Sequence, residues 1–284
     1  MPGKPPTPAT EPTPATEPTP ATEPTPAAEP TPAAPAPLLA ARDVSVHYGG
    51  VLANDRIRLD VGPAEIVGLI GPNGAGKTTF VDAVTGFAPY TGSVALGGVR
   101  LDGLPAHRRR RLGLARTWQS GELFTGLTLA ENLAVSVERA GLRGMAADLG
   151  RRRRRRTDAA VRQALALVGL DAAADRRPEE LPLGLQKLAG VARALAGDTR
   201  VLLLDEPAAG LDTGESAEFG RELRRIADSG PGVLLIDHDM TLVLDVCDRV
   251  HVLDFGRIIA AGTPREVSAD TGVVAAYLGS PATP

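Results

Sequence analysis

From Leu38 onward, short apolar runs alternate with stretches in which apolar residues return every three to four positions. The first pattern suits strands and the second suits helices. The strands predicted are Leu38–His47, Arg56–Val61, Glu65–Ile70, Ser93–Leu96, Val201–Asp205, Gly232–Ile236, Arg249–Asp254 and Arg257–Ala260. Val201–Leu204 and Val233–Ile236 are apolar throughout, as in central strands buried on both faces. Lys77–Thr85 reads as a helix, and another starts near Leu183 and runs to about Ala196. Between Leu127 and Leu181 the chain is rich in Ala, Leu and Arg and poor in β-branched residues, so 127–196 reads as a mainly helical insert. Strands alternating with helices predict an α/β fold.

Residues 1–37 show neither pattern. They repeat TPATEP and its variants, hold 14 of the 25 prolines and contain none of the 9 aromatic residues. Such spacing forbids helices and sheet ladders, and no large apolar residue precedes Leu38. The expectation is a disordered, semi-extended leader over 1–37 and one domain over 38–284. A ligand for a proline-reading module is the sharper alternative.

Charge divides along the same line. The chain is −3 overall; the leader carries four Glu against Lys4, so the body balances at 30 basic and 30 acidic residues. Neutrality gives no support for nucleic-acid binding. Over the whole chain there are 28 arginines against 3 lysines, with ten arginines in the blocks Arg108–Arg111 and Arg151–Arg156. A solvated face is the simplest reading of these blocks; contact with anionic lipid or RNA is the rival. The single cysteine, Cys247, excludes a disulfide framework and reads as a small buried hydrophobe. No apolar run approaches the roughly 20 residues of a membrane span. A cytoplasmic setting is expected, with a spanning partner if the protein works at a membrane.

The strongest chemistry is Gly71-Pro72-Asn73-Gly74-Ala75-Gly76-Lys77-Thr78, which matches G-x-x-x-x-G-K-[ST] between a predicted strand and a predicted helix. The glycines let the backbone wrap phosphate oxygens, and the helix N-terminus adds a positive field. Lys77 can neutralise β- and γ-phosphates, and the Thr78 hydroxyl can coordinate Mg²⁺. Far downstream, an apolar strand ends in Asp205-Glu206. Both carboxylates then fall at the carboxyl edge of the sheet, where such folds bind ligands. Asp205 suits the Mg²⁺ shell and Glu206 suits a general base for the attacking water.

With these residues in place, the sequence over 38–284 resembles the ATP-binding cassette (ABC) ATPases, the motor subunits of ABC transporters. The resemblance implies a P-loop NTPase cassette with a RecA-like core, an antiparallel β subdomain and a helical subdomain. It implies that Tyr48 stacks on adenine, and that Thr79 joins the phosphate loop in holding nucleotide. Gln119 would sense Mg²⁺ and the membrane partner, Asp212 would belong to a loop that faces the other subunit, and His238 would contact the γ-phosphate. His47, His107 and His251 receive no role.

The family's hallmark Leu-Ser-Gly-Gly-Gln corresponds to Leu181-Pro182-Leu183-Gly184-Leu185. Gly184 is kept, while the hydroxyl expected to donate to the opposite subunit's ATP is lost at Pro182. The resemblance therefore implies two unequal ATP sites in a pair of cassettes.

Ala115-Arg116-Thr117-Trp118-Gln119, Asp205–Asp212 and the segment from Val252 to Gly279 are similar to ATPases of branched-chain amino acid importers. Urea and amide importers share this likeness, and the lipopolysaccharide-export ATPase shares part of it. The implied partners are a second ATPase subunit, two permeases and an external substrate-binding protein, at the cytoplasmic face of the membrane. Nucleic acid is an unlikely partner, since cassette proteins that act on RNA or ribosomes usually carry two cassettes or a long coiled coil.

Overall fold

The computed structural model describes Gly3 and residues 36–117, 123–137 and 151–273; for 151–156 it describes the helical backbone but not the side chains. The expectations for the leader, for Gln119 and for the side chains of Arg151–Arg156 lie outside the described residues.

Among the described residues, ten strands form two sheets. Strands β1 (Leu39–Tyr48), β2 (Val51–Val61), β4 (Thr91–Leu96) and β5 (Val99–Arg100) make an antiparallel sheet in the order β2-β1-β4-β5. The second sheet takes β3 (Ile66–Ile70), β6 (Leu114–Arg116), β7 (Val201–Asp205), β8 (Gly232–Ile236), β9 (Arg249–Asp254) and β10 (Arg257–Gly262). Its order is β10-β9-β3-β8-β7-β6, parallel except for β10.

Eight helices are described: α1 (Lys77–Thr85), α2 (Ala106–Arg111), α3 (Leu129–Val137), α4 (Arg151–Leu167), α5 (Leu183–Leu195), α6 (Thr213–Asp228), α7 (Met240–Val246) and α8 (Pro264–Ala269). Between Leu127 and Ala196 the described elements are all helical.

The continuous apolar strands β3, β7 and β8 are buried at every residue. Successive side chains on a strand point to opposite faces, so each strand feeds two cores. Val67, Leu69, Val201, Leu203, Leu234 and Ile236 pack with α1 and the small sheet. Ile66, Ile70, Leu202, Leu204, Val233 and Leu235 pack with residues of α5, α6 and α7. The large sheet is thus sandwiched, and the ends of its parallel strands remain free to carry a site.

Sequence and structure part at the sheet margins. β5 and β6 are too short to leave a periodic signal, and the first half of β2 carries Asn54 and Asp55, which read as loop. Cys247 is buried as expected, and burial pushes its thiol up to about 12.

The first arginine block is not a uniform solvated face. Arg108 and Arg111 are exposed, but Arg109 is only 3% exposed. Its guanidinium donates to the carbonyls of Ala83 (2.9 Å) and Val84 (2.7 Å) in the last turn of α1, and to Leu104 (2.8 Å). It also lies 5.5 Å from the ring centroid of Tyr90. Arg110 turns the other way and donates to the carbonyl of Ala194 (2.9 Å) at the end of α5. A cation at a helix C-terminus satisfies orphan carbonyls and complements the dipole. Two neighbouring residues of α2 therefore close the C-terminal ends of two different helices.

Candidate functional site

β3 delivers the chain into the glycine loop, and α1 leaves it. Gly71 has φ +158, and a Cβ there would meet the Leu253 carbonyl oxygen at 2.1 Å. Gly76, at φ +103, is the N-cap of α1, and a Cβ there would lie 2.6 Å from both the Ala53 carbonyl and the Asn54 amide. Only glycine fits either place. Because Gly76 brings no side chain, α1 begins without a side-chain cap, and its first-turn N–H groups suit a phosphate.

The loop is also held from outside. Asn54 Nδ2 donates to the Gly76 carbonyl (3.1 Å), and Gly256 N donates to the Ala75 carbonyl (2.9 Å). Asn73, Gly74 and Thr78 are exposed along the loop; Pro72 and Thr79 are half-buried.

Lys77 is 7% exposed. Its Nζ donates to the carbonyls of Gly71 (2.6 Å) and Pro72 (3.0 Å). Burial lowers its pKa, while the fields of Glu206, Asp205 and Asp237 raise it. Those three carboxylates come from the ends of β7 and β8, so the sheet topology gathers residues some 130 to 160 positions apart around one ammonium.

At the end of β7, Asp205 is buried and pairs through Oδ2 with Arg116 at 2.9 Å. Glu206 follows at φ +47, a left-handed conformation that costs a non-glycine residue roughly 1 kcal/mol or more. Its N–H donates to the Ile236 carbonyl (2.7 Å), which locks the turn to β8.

On β8's side, His238 is exposed and its Nδ1 lies 3.9 Å from Glu206 Oε1. The intervening Asp237 is fully enclosed. Its carboxylate accepts from the N–H groups of His238 (2.8 Å), Asp239 (3.0 Å) and Ala208 (3.4 Å), and burial raises its pKa against those bonds.

The remaining candidates are more dispersed. Tyr48 is half exposed at the end of β1. Asp212 caps α6: its side chain accepts from Glu215 N (2.8 Å), and Glu215 returns the bond to Asp212 N. Gly184 lies near Leu211, and Leu183 Cδ2 lies against Gly210, so the Pro182–Leu185 segment packs on the loop before α6 rather than on the glycine loop. Pro182 is the N-cap of α5 and its carbonyl accepts from Gln186 N (3.1 Å), so proline is accommodated without disturbing the helix.

Three residues that sequence reasoning left without a role also shape the site: Asn54, Asp237 and Arg116. Asn54 looked like loop, and Asp237 is one carboxylate among neighbours. The Arg116 guanidinium is 6% exposed and spans Asp82 on α1 and Asp205 on β7. No local pattern announces that partnership, because its two ends lie 34 and 89 residues away. Arg116 also lines a cleft of about 330 Å³ with Thr117, Phe124, Val135, Gly190 and Arg193. A larger cavity of about 490 Å³ between α6 and α7 is lined by none of the candidate site residues, although Thr213 and Asp239, the neighbours of Asp212 and His238, border it.

Comparison with known proteins agrees with this arrangement. Residues 54–209 match the family described as ABC transporter, and residues 257–283 match the branched-chain amino acid ATP-binding cassette transporter family. The chain is 38% identical to the high-affinity branched-chain amino acid transport ATP-binding protein LivG of Escherichia coli K12, over 86% of this chain and 98% of that protein. It is 33% identical to the lipopolysaccharide export system ATP-binding protein LptB of the same organism, over 85% and 97%. Among solved structures, the ADP conformation of MJ1267, an ATP-binding cassette of an ABC transporter, superposes with TM-score 0.75 at 26% identity, over 86% of this chain and 99% of that one. A phosphate loop on a sandwiched parallel sheet, with acidic strand ends gathered beside it and relatives matched almost end to end, leads to one assignment: this chain is an ATP-binding cassette ATPase of the ABC transporter family, in its LivG-like group.

Proposed function

We propose that this ATPase drives import of branched-chain amino acids, working as one of two paired cassettes beneath two permease subunits and served by an external substrate-binding protein. The observation that carries the reading is the 38% identity to LivG together with the C-terminal match at 257–283. The same C-terminal match favours an importer over lipopolysaccharide export, although LptB reaches 33% identity. No described helix is long and apolar enough to cross a membrane. Attachment to the membrane is therefore assigned to the permeases, with the chain lying peripherally on the cytoplasmic face. The domain carrying this work is 38–284, and 1–37 is its leader.

The candidate residues divide the work as follows. Tyr48 offers its half-exposed ring to adenine. The backbone of Gly71–Thr79 surrounds the phosphates, and Lys77 exchanges its loop carbonyls for phosphate oxygens. Thr78 and Asp205 are hard oxygen donors of the type Mg²⁺ prefers, and Gln119, outside the described residues, would join them. Bound there, the ion would neutralise charge between the phosphates. Glu206 accepts a proton from the attacking water, and His238, close beside it, reaches the γ-phosphate. Gly184 and Asp212 face the partner cassette's nucleotide. ATP closes the pair because its contacts to both cassettes exist only in the closed state.

Reconstituting the chain with permeases, a second ATPase and a substrate-binding protein from its own organism tests the reading. ATP-dependent uptake of leucine, isoleucine or valine into proteoliposomes is expected. Turnover stimulated by a urea- or amide-loaded binding protein, with no response to these amino acids, would overturn it.

A further inference from the structure

We propose that Arg116 is a positioning residue for the metal-holding carboxylate: its guanidinium is the resident counter-ion of Asp205, and it sets how much divalent ion nucleotide binding requires. The inference rests on the assignment of Asp205 to the Mg²⁺ shell made above.

Three observations carry it. First, Arg116 and Asp205 are 6% and 7% exposed, so their charges meet where water screens little. Removing either partner leaves the other buried and uncompensated. Second, Lys77 gives its hydrogen bonds to the carbonyls of Gly71 and Pro72 rather than to Asp205. Among the described residues, the ion pair of Asp205 is with Arg116. Third, the other arm of the guanidinium holds Asp82, which is 29% exposed and sits one turn after Thr78 on α1. Residues four apart share a helix face. One planar fork therefore ties the strand that ends in Asp205 to the helix that carries Thr78, the two groups assigned to the metal.

The consequence is competition. A divalent ion approaching Asp205 must share that carboxylate with a guanidinium already seated on it. Asp82, closer to solvent, gives the guanidinium an alternative seat when the ion arrives. Arg116 thereby discounts the attraction of Asp205 for free metal and leaves the pull of the phosphates to complete the site. Lysine at 116 keeps the charge but lacks the fork, so it serves one carboxylate at a time.

The test is the Mg²⁺ dependence of binding of a fluorescent, non-hydrolysable ATP analogue to the full chain, with no turnover involved. Arg116→Met should lower the half-saturating Mg²⁺ by about three- to tenfold, because a competing charge has gone. Asp82→Asn should raise it by about two- to fourfold, because the carboxylate that draws the guanidinium away from Asp205 is then lost. Arg116→Lys should fall between wild type and Arg116→Met. If Arg116→Met does not fold, Asp82→Asn and Arg116→Lys carry the test alone. Shifts of Arg116→Met and Asp82→Asn in the same direction, or no shift with Asp82→Asn, would overturn the proposal and leave the triad a purely structural weld. Asp205→Asn is the control: if it leaves Mg²⁺ dependence unchanged, the metal assignment of Asp205 fails and takes this inference with it. If Asp205→Asn responds while the other variants do not, the inference fails alone.

Discussion

Helix α1 starts at Gly76 and helix α5 starts at Pro182, and neither start carries a side-chain cap. Their surroundings differ in every other respect. The loop before α1 is hemmed in by the Leu253 and Ala53 carbonyls, pinned by Asn54 and Gly256, and filled by a buried lysine. The start of α5 presents a 40% exposed Leu183 that rests on Gly210. On the proposed function, the glycine loop is the wall of an ATP site that this chain's own strands assemble. On the same proposal, the start of α5 is the wall offered to the partner cassette's nucleotide. Yet the far ends of both helices are closed by the same short helix, through Arg109 and Arg110.

Substitutions at the two starts should separate them most widely. Lys77→Ala is expected to cut ATP turnover by about 100-fold or more, since a charge aimed at the transferring phosphoryl group is lost. Leu185→Ala at the other start should cost less than about tenfold in the same assay. Equal losses would erase the contrast.

At the far ends, the expected effects are on stability. Arg109→Met leaves the carbonyls of Ala83, Val84 and Leu104 without their buried donor, a loss of about 3 kcal/mol by denaturant titration. Arg110→Met gives up a half-buried bond to Ala194 and should cost about 1 kcal/mol. The reverse ranking would show that the phosphate-loop helix is not the more tightly closed of the two.

Acid should bear on the loop side of the sheet. His251 on β9 pairs with Leu69 on β3, and burial together with Arg249 lowers its pKa to about 4, with Glu65 and Asp60 opposing. The unfolded chain then binds the proton more readily. The stability this group provides is present above its ordinary value of 6.5 and is lost as pH falls from there toward 4, by up to about 3 kcal/mol. His251→Leu should flatten that part of the stability–pH curve; an unchanged slope would clear His251 of the effect.

A smaller effect is expected at the proline. Pro182→Ser restores a hydroxyl at the start of α5 and should raise turnover of a homodimer about fivefold, the worth of one hydrogen bond of roughly 1 kcal/mol. No gain would mean that the segment already functions through its backbone.

The same contrast explains what the sequence revealed. β3, β7 and β8 were legible because burial on both faces demands unbroken apolar runs, and the glycine loop because close backbone approach demands glycine at fixed places. Arg109 was not legible. Within Arg108–Arg111 nothing local distinguishes a side chain that closes a helix 26 residues away from two that meet water. Arg116 has no local signature, since its partners are assembled by the topology. Asn54 is not legible either, because a polar residue in a strand reads as loop until the Gly76 carbonyl lies beside it.

The left-handed backbone at Glu206 has a further consequence. A residue whose conformation opposes its own side-chain sterics is a point where foldability and chemistry pull in different directions. Asparagine visits that region more readily than glutamate. Glu206→Asn should therefore be more stable than the wild-type chain by about 0.5–1 kcal/mol in denaturant titration, while hydrolysing ATP far more slowly. Glutamate at this place thus costs the fold stability, and what it supplies in return is the carboxylate that the proposed hydrolysis needs.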